Sequence, residues 1–139
     1  MWDSLGEYIE KIAIENNSNV FKVVEIGVGK FFKISEYLKE HDKIDLTLID
    51  IVPANDEVLR DDITSPNLNI YKKVDLIYSI RPPYELQQYI EEIAKYSKAI
   101  LIIKPLTNEH LNTTITMNLK SYKKANFFEY DFNNLLDKY

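Results

Sequence analysis

The chain has 139 residues, 45% of them apolar and 28% charged, with a formal net charge of -5 at neutral pH. Such a length suits one domain, taken as residues 1–139, and leaves no room for a second core. The absence of cysteine excludes disulfides, thiolate metal sites and cysteine nucleophiles, and the acidic balance works against nucleic acid as a partner. Apolar runs such as Ala99 to Ile103 fall far short of the roughly 20 residues of a membrane span. Without a signal-peptide pattern at the N-terminus, the expected location is the cytoplasm. Ten Tyr and six Phe predict a core rich in both.

Leu5, Ile9, Ile12 and Ala13 recur at helical spacing, and Ser4 followed by Glu7 reads as a capping box, so the first helix is expected from about Ser4 to Glu15. FKVVEIG is a β-branched run ending in Gly27, the pattern of a buried parallel strand. Phe31, Ile34, Ser35 and Leu38 mark a second helix in FFKISEYLKEH, and IDLTLID is a second strand ending on Asp50. The Pro-, Asn- and Asp-rich stretch that follows admits only a short third strand near Glu57 to Arg60. VDLIYSI is a fourth strand, PPYELQQYIEEIAKYS a helix with proline in its first turn, and KAILIIKP a fifth strand. In the tail, Ile115, Met117 and Leu119 alternate with polar residues. FFEYDF alternates again after Lys123-Lys124-Ala125-Asn126, predicting a terminal antiparallel hairpin.

Alternating strands and crossover helices predict an α/β, doubly wound, Rossmann-like sheet, mostly parallel, with helices on both faces. Added to such a sheet, a C-terminal antiparallel hairpin resembles a minimal class I methyltransferase that uses S-adenosylmethionine (SAM). The first strand hands over to a helix through VVEIGVGK, where Gly27 and Gly29 allow a tight turn and close approach of a ligand. A dinucleotide fingerprint would place a third glycine where this chain has Phe32, which disfavours an NAD-type ligand. With Glu25 leading, the motif is similar to the first motif of SAM-dependent methyltransferases. That resemblance implies a role for Glu25 near the methionine end of the cofactor.

Asp50 follows Glu25 by about 25 residues, near the roughly 20-residue offset at which an acid reaches ribose hydroxyls; taken alone it reads as a polar strand terminus or a helix-capping Asp, and combined with the glycine loop it reads as a ribose ligand. Asp61 and Asp62 follow the third strand, where methyltransferases often place an acid beside the adenine amino group; a solvated turn is the alternative. SIRPPYEL resembles the (Asp/Asn)-Pro-Pro-(Tyr/Phe) motif of amino-group methyltransferases, but Arg81 replaces the acceptor with a residue that has only donors. Arg81 is expected to point into the crevice and hold an anion, or else to pair with Asp61 or Asp62. Pro82-Pro83 reads as a ligand-site element or a rigid helix entry, and Tyr84 as a stacking platform or a packed ring. His41 and His110 have no metal-ligand spacing and are expected at the surface, as is Lys104. No Walker-type phosphate loop is present.

EIGVGKFFKISEYL, DDITSP, YSIRPP and LIIKPLT, in that order, look like the uncharacterised archaeal protein family 0146, a resemblance spanning nearly the whole chain. It implies a methyltransferase-like Rossmann fold and no established activity. The expected function is SAM binding by Glu25, Gly27, Gly29, Asp50, Asp61 and Asp62, with methyl transfer to a small or anionic substrate oriented by Arg81 and Tyr84. A non-catalytic nucleotide-binding module is the alternative. So short a chain leaves little material for substrate recognition, so a protein partner or a second copy is expected to supply selectivity.

Overall fold

Seven strands form one sheet in the computed structural model, which describes residues 1–106 and 110–133. They are β1 (Phe21–Ile26), β2 (Ile44–Asp50), β3 (Val58–Arg60), β4 (Leu76–Ile80), β5 (Ile100–Lys104), β6 (Asn118–Tyr122) and β7 (Ala125–Asp131). Their spatial order is β3-β2-β1-β4-β5-β7-β6. The first five are parallel, and β7 runs antiparallel to both β5 and β6. β4 is buried at every position, as a central parallel strand covered on both faces must be.

Alternate residues of these strands feed two cores. Phe21, Val23, Leu76 and Tyr78 pack with α1 (Trp2–Glu15) and α2 (Lys33–Leu38) on one face. Val24, Ile26, Ile77 and Leu101 pack with α3 (Gln87–Ser97) on the other. The expectation of a Tyr-rich core needs correction, since most of the buried side chains are aliphatic and Tyr71 and Tyr78 are the buried tyrosines among the described residues. Each has its hydroxyl on a carboxylate, Tyr71 on Asp61 and Tyr78 on Glu25. A phenol is buried without penalty only where such a partner exists, and few positions provide one.

Several local expectations are overturned by distant contacts. Helix α1 begins at Trp2 with Met1 as its N-cap and no capping side chain. Ser4 lies inside the helix, its Oγ accepting the Lys124 N–H at 3.4 Å, and Glu7 pairs with Lys123. The β6–β7 turn thus claims both residues of the expected capping box. Phe31 precedes α2 and packs edge-on against Trp2, with ring centroids 4.9 Å apart. Pro82 and Pro83 precede a 3₁₀ turn (Tyr84–Leu86), so α3 starts only at Gln87. Residues Lys123 and Lys124 alone form the hairpin turn, since Tyr122 pairs with Ala125. Leu119 is 67% exposed because β6 is an outer edge strand, and α1 meets it through Tyr122 and not through Leu119.

The connection from β5 to β6 contains no helix among its described residues. Side chains of α3 hold it instead: Gln87 Oε1 accepts the Asn112 N–H at 2.6 Å, and buried Glu91 accepts the Thr114 N–H at 2.8 Å. Among the described residues, no helix is long and apolar enough to cross a membrane.

Helices α1 and α2 meet closely at Gly6, where an added Cβ would lie 2.7 Å from Tyr37 Cδ1. Gly6→Val should therefore destabilise the fold by about 1–3 kcal/mol through overpacking. A far-UV circular dichroism melt measures this, and an unchanged melting temperature would show that Tyr37 moves aside at no cost.

Candidate functional site

The chain turns sharply after β1 because Gly27 (φ 75°) and Gly29 (φ 57°) take left-handed conformations that other residues adopt only with strain. Gly27 N–H donates to the Ile49 carbonyl at 2.8 Å, tying the turn to β2. A Cβ built on Gly27 approaches nothing closer than Ser79 Oγ at 4.0 Å, so the glycine faces open space. Asp50 at the end of β2 fixes the loop from the other side. Its Oδ2 accepts the Gly29 N–H at 2.8 Å and its Oδ1 the Val52 N–H at 2.9 Å. A carboxylate oxygen has two acceptor sites, so each retains one for a ligand.

Gly27 and Asp50 border a cavity of about 480 Å³ at the carboxyl ends of the central strands. Its apolar wall includes Ile26, Ile49, Ile63 and Ile90, and its polar rim adds Asp61, Asp62, Ser79 and Arg81. Asp61 accepts the Tyr71 hydroxyl at 2.7 Å and the Asn67 N–H at 3.1 Å. Burial and that carboxylate together push the Tyr71 phenol up. Asp62 is exposed and accepts both the hydroxyl and the N–H of Thr64, bonds that hold its carboxyl below the ordinary value.

Glu25 lies elsewhere. Its side chain is only 1% exposed, does not line the cavity, and accepts the Tyr78 hydroxyl at 2.6 Å from the register partner on β4. Burial pushes its carboxyl up to about 7, against the opposing effect of the Tyr78 hydrogen bond. Phe32 does not meet the cavity either; it packs against Val28, Leu48 and Val58. Tyr84 is 56% exposed in its 3₁₀ turn, and its carbonyl accepts a hydrogen bond from Asn112 Nδ2. His110 is exposed, whereas His41 is half-buried and its Nδ1 accepts the Lys43 N–H. Among the described residues, no group of three or more His, Asp or Glu could hold a metal ion.

Arg81 lines the cavity, one of its two expected positions, but does not take the other. It makes no ion pair with Asp61 or Asp62, and its guanidinium carbon lies 5.2 Å from the centre of the Trp2 ring and 5.8 Å from that of Phe31. The cause is backbone geometry. Ser79 and Ile77 face the α3 side, and simple alternation would carry Arg81 there too, but its φ of 53° turns the chain just before Pro82. The Arg81 N–H is anchored on the Lys104 carbonyl at 2.6 Å. A left-handed non-glycine residue costs about 1–2 kcal/mol, whereas an exposed cation–π contact returns about 0.5–1 kcal/mol. The surrounding structure must therefore impose this conformation.

Sequence patterns identified Gly27, Asp50, Asp61 and Asp62, which the fold brings around one cavity. They missed Ser79, whose hydroxyl donates to the Ile26 carbonyl at 2.7 Å, and the Trp2 contact with Arg81. Position at the end of VDLIYSI could have indicated Ser79. No local signal links Trp2 to Arg81.

Strand order, helix placement and the glycine turn define the class I methyltransferase fold. A SAM methyltransferase from Silicibacter pomeroyi superposes with a TM-score of 0.59 at 10% identity, covering 92% of this chain and 89% of that one. A SAM-dependent methyltransferase from Clostridium acetobutylicum gives 0.56 at 15% identity, covering 94% and 61%. A sugar N-methyltransferase from Streptoalloteichus gives 0.53 at 12% identity, covering 87% of this chain and 56% of that one, so the chain spans little more than half of some of these neighbours. The chain itself belongs to the uncharacterised protein family UPF0146, whose model matches residues 5–132. A UPF0146 protein of Methanothermobacter thermautotrophicus is 44% identical over 130 residues, covering 94% of this chain and 95% of its relative. One of Methanocaldococcus jannaschii is 41% identical, covering 88% and 90%.

Because Glu25 binds its proton more tightly when folded than its ordinary 4.5, it should lower stability as pH rises from about 4.5 to about 7. Above that range the penalty is constant, on the order of 3 kcal/mol. Glu25→Gln should melt higher than the parent at pH 8, and this advantage should shrink towards pH 4.5. An equal effect at both pH values would show that Glu25 does not titrate in this window.

Proposed function

We propose that this chain is a minimal SAM-binding protein of one domain that transfers a methyl group to a small acceptor. The observation that carries this reading is the cavity beside Gly27, with an apolar wall and the three carboxylates Asp50, Asp61 and Asp62 on its rim. Carboxylates repel a diphosphate, so the rim opposes an NAD-type dinucleotide and favours a nucleoside bearing positive charge. The volume, about 480 Å³, is within the range of small-ligand pockets. Likeness of fold to methyltransferases supports the reading without deciding it.

Within this reading the Asp50 oxygens accept two ribose hydroxyls through their remaining lone pairs, while the Gly27 backbone allows close approach of the ligand. Asp61, oriented by Tyr71, and Asp62 accept from the amino group of the base. Glu25 acts from behind the loop, as the buried partner of Tyr78. When bound, SAM would supply a sulfonium-activated methyl group for transfer, with Gly27, Asp50, Asp61 and Asp62 holding its nucleoside. The chain's part is alignment, which supplies much of the rate in such a transfer. A non-catalytic SAM-binding role is favoured by one observation: Arg81 offers no acceptor where the amino-group enzymes have one.

Calorimetry with SAM, S-adenosylhomocysteine and NAD tests the ligand, and incorporation of labelled methyl into small molecules of a cell extract separates catalysis from binding. Heat with NAD alone would overturn the reading. Asp50→Ala should weaken S-adenosylhomocysteine binding at least about tenfold through loss of charge-assisted hydrogen bonds. Unchanged affinity in a folded variant would remove Asp50 from the ribose site.

Gly27→Val should abolish that binding while the domain stays folded, since the added side chain meets open space and not protein. Its φ of 75° adds a strain of about 1–2 kcal/mol or somewhat more for a β-branched residue. A melt alongside the calorimetry checks this. Loss of folding would show that Gly27 serves the turn alone.

A further inference from the structure

We infer that Arg81, seated over Trp2 and Phe31, is a binding subsite for an anionic group, a carboxylate or phosphate, carried by the acceptor molecule. This names the acceptor class and rests on the reading of the cavity as a cofactor site. Three observations converge. First, Arg81 belongs to the cavity rim, at the end of β4 beside the glycine turn of β1. Its guanidinium lies over Trp2 of α1 and over Phe31, and it forms no ion pair with the carboxylates of that rim.

Second, the guanidinium makes no hydrogen bond or ion pair with any described residue, although 22 acidic side chains are available in the sequence. Its contacts are two aromatic rings, which accept no N–H in a hydrogen bond here and so leave its donors available. A planar fork held in this way matches a carboxylate or phosphate bidentately. Third, the backbone conformation is strained. Among the described residues four non-glycine side chains have positive φ, and three of them, Lys73, Lys98 and Lys123, do not line the cavity. Lys98 caps α3 and Lys123 lies in the hairpin turn, where such conformations are ordinary. Arg81 alone adopts it at the ligand cavity, between Ile80 and Pro82, where strain is characteristic of function.

Trp2 is the sole tryptophan of the chain, so its fluorescence reports directly on this contact. Inorganic phosphate and acetate are titrated separately at constant ionic strength, balanced with chloride. Wild-type protein should show a saturable change with at least one of them: phosphate alone identifies a phosphoryl group, acetate alone a carboxylate, and both the shared chemistry. The change should vanish in Arg81→Gln and weaken about tenfold in Arg81→Lys, where charge remains but the planar fork is lost. Lys72→Gln, which follows the 3₁₀ turn Leu68–Tyr71 and does not line the cavity, should respond as wild type. A response reproduced by chloride, or one surviving in Arg81→Gln, overturns the proposal, as does no response to either anion. Calorimetry with S-adenosylhomocysteine on wild type tests the cofactor separately. Its failure beside an Arg81-dependent anion response would leave the subsite standing and remove the cofactor reading.

Discussion

Between β1 and β4 the sheet changes the direction in which the chain winds, and the candidate site depends on that reversal. From β1 the chain proceeds outward through β2 to β3, then returns to place β4 against the opposite edge of β1. Connections leaving adjacent strand ends therefore diverge, and a crevice opens between them. A glycine turn alone would not make a cavity. It does so here because Gly27 leaves β1 at this divergence, while Asp50 ties Gly29 to the end of β2.

The crevice has two chemically different sides. On the α3 side, aliphatic walls meet an acidic rim whose members are already oriented: Asp50 by backbone donors, Asp61 by Tyr71, and Asp62 by Thr64. On the α1 side stands a cation over aromatic rings. Beneath the strands that separate them, Glu25 and Tyr78 form a buried hydrogen bond across β1 and β4. That bond joins the two strands whose divergence opens the site.

The regular part of the architecture was legible in the sequence because it depends on short-range periodicity. β1, β2, β4 and β5 are apolar runs bounded by turn residues, and Asp50 closes its strand as expected. Departures arise where a distant partner decides the outcome. Ser4 and Glu7 have the spacing of a capping box, yet residues near the other end of the chain engage both. Alternation could not place Arg81, since one left-handed residue reverses which face follows. The acidic pair after β3 was visible, but the Tyr71 that orients Asp61 was not, because nothing local connects them. Leu119 followed the alternating pattern faithfully and still lies in solvent, since nothing covers its part of the outer edge strand β6.

The position of β7 sets an order on folding. β5 is an apolar strand, and one of its edges pairs only with β7, which is made later than the β6 strand lying outside it. During synthesis the sheet can therefore grow from β1 through β5 and must then wait with an open, aliphatic edge until the hairpin emerges. An exposed edge of this kind invites pairing with other chains. The hairpin thus acts as a late closure for the growing sheet, and shortening the chain before Ala125 would leave the central strands in register but adhesive.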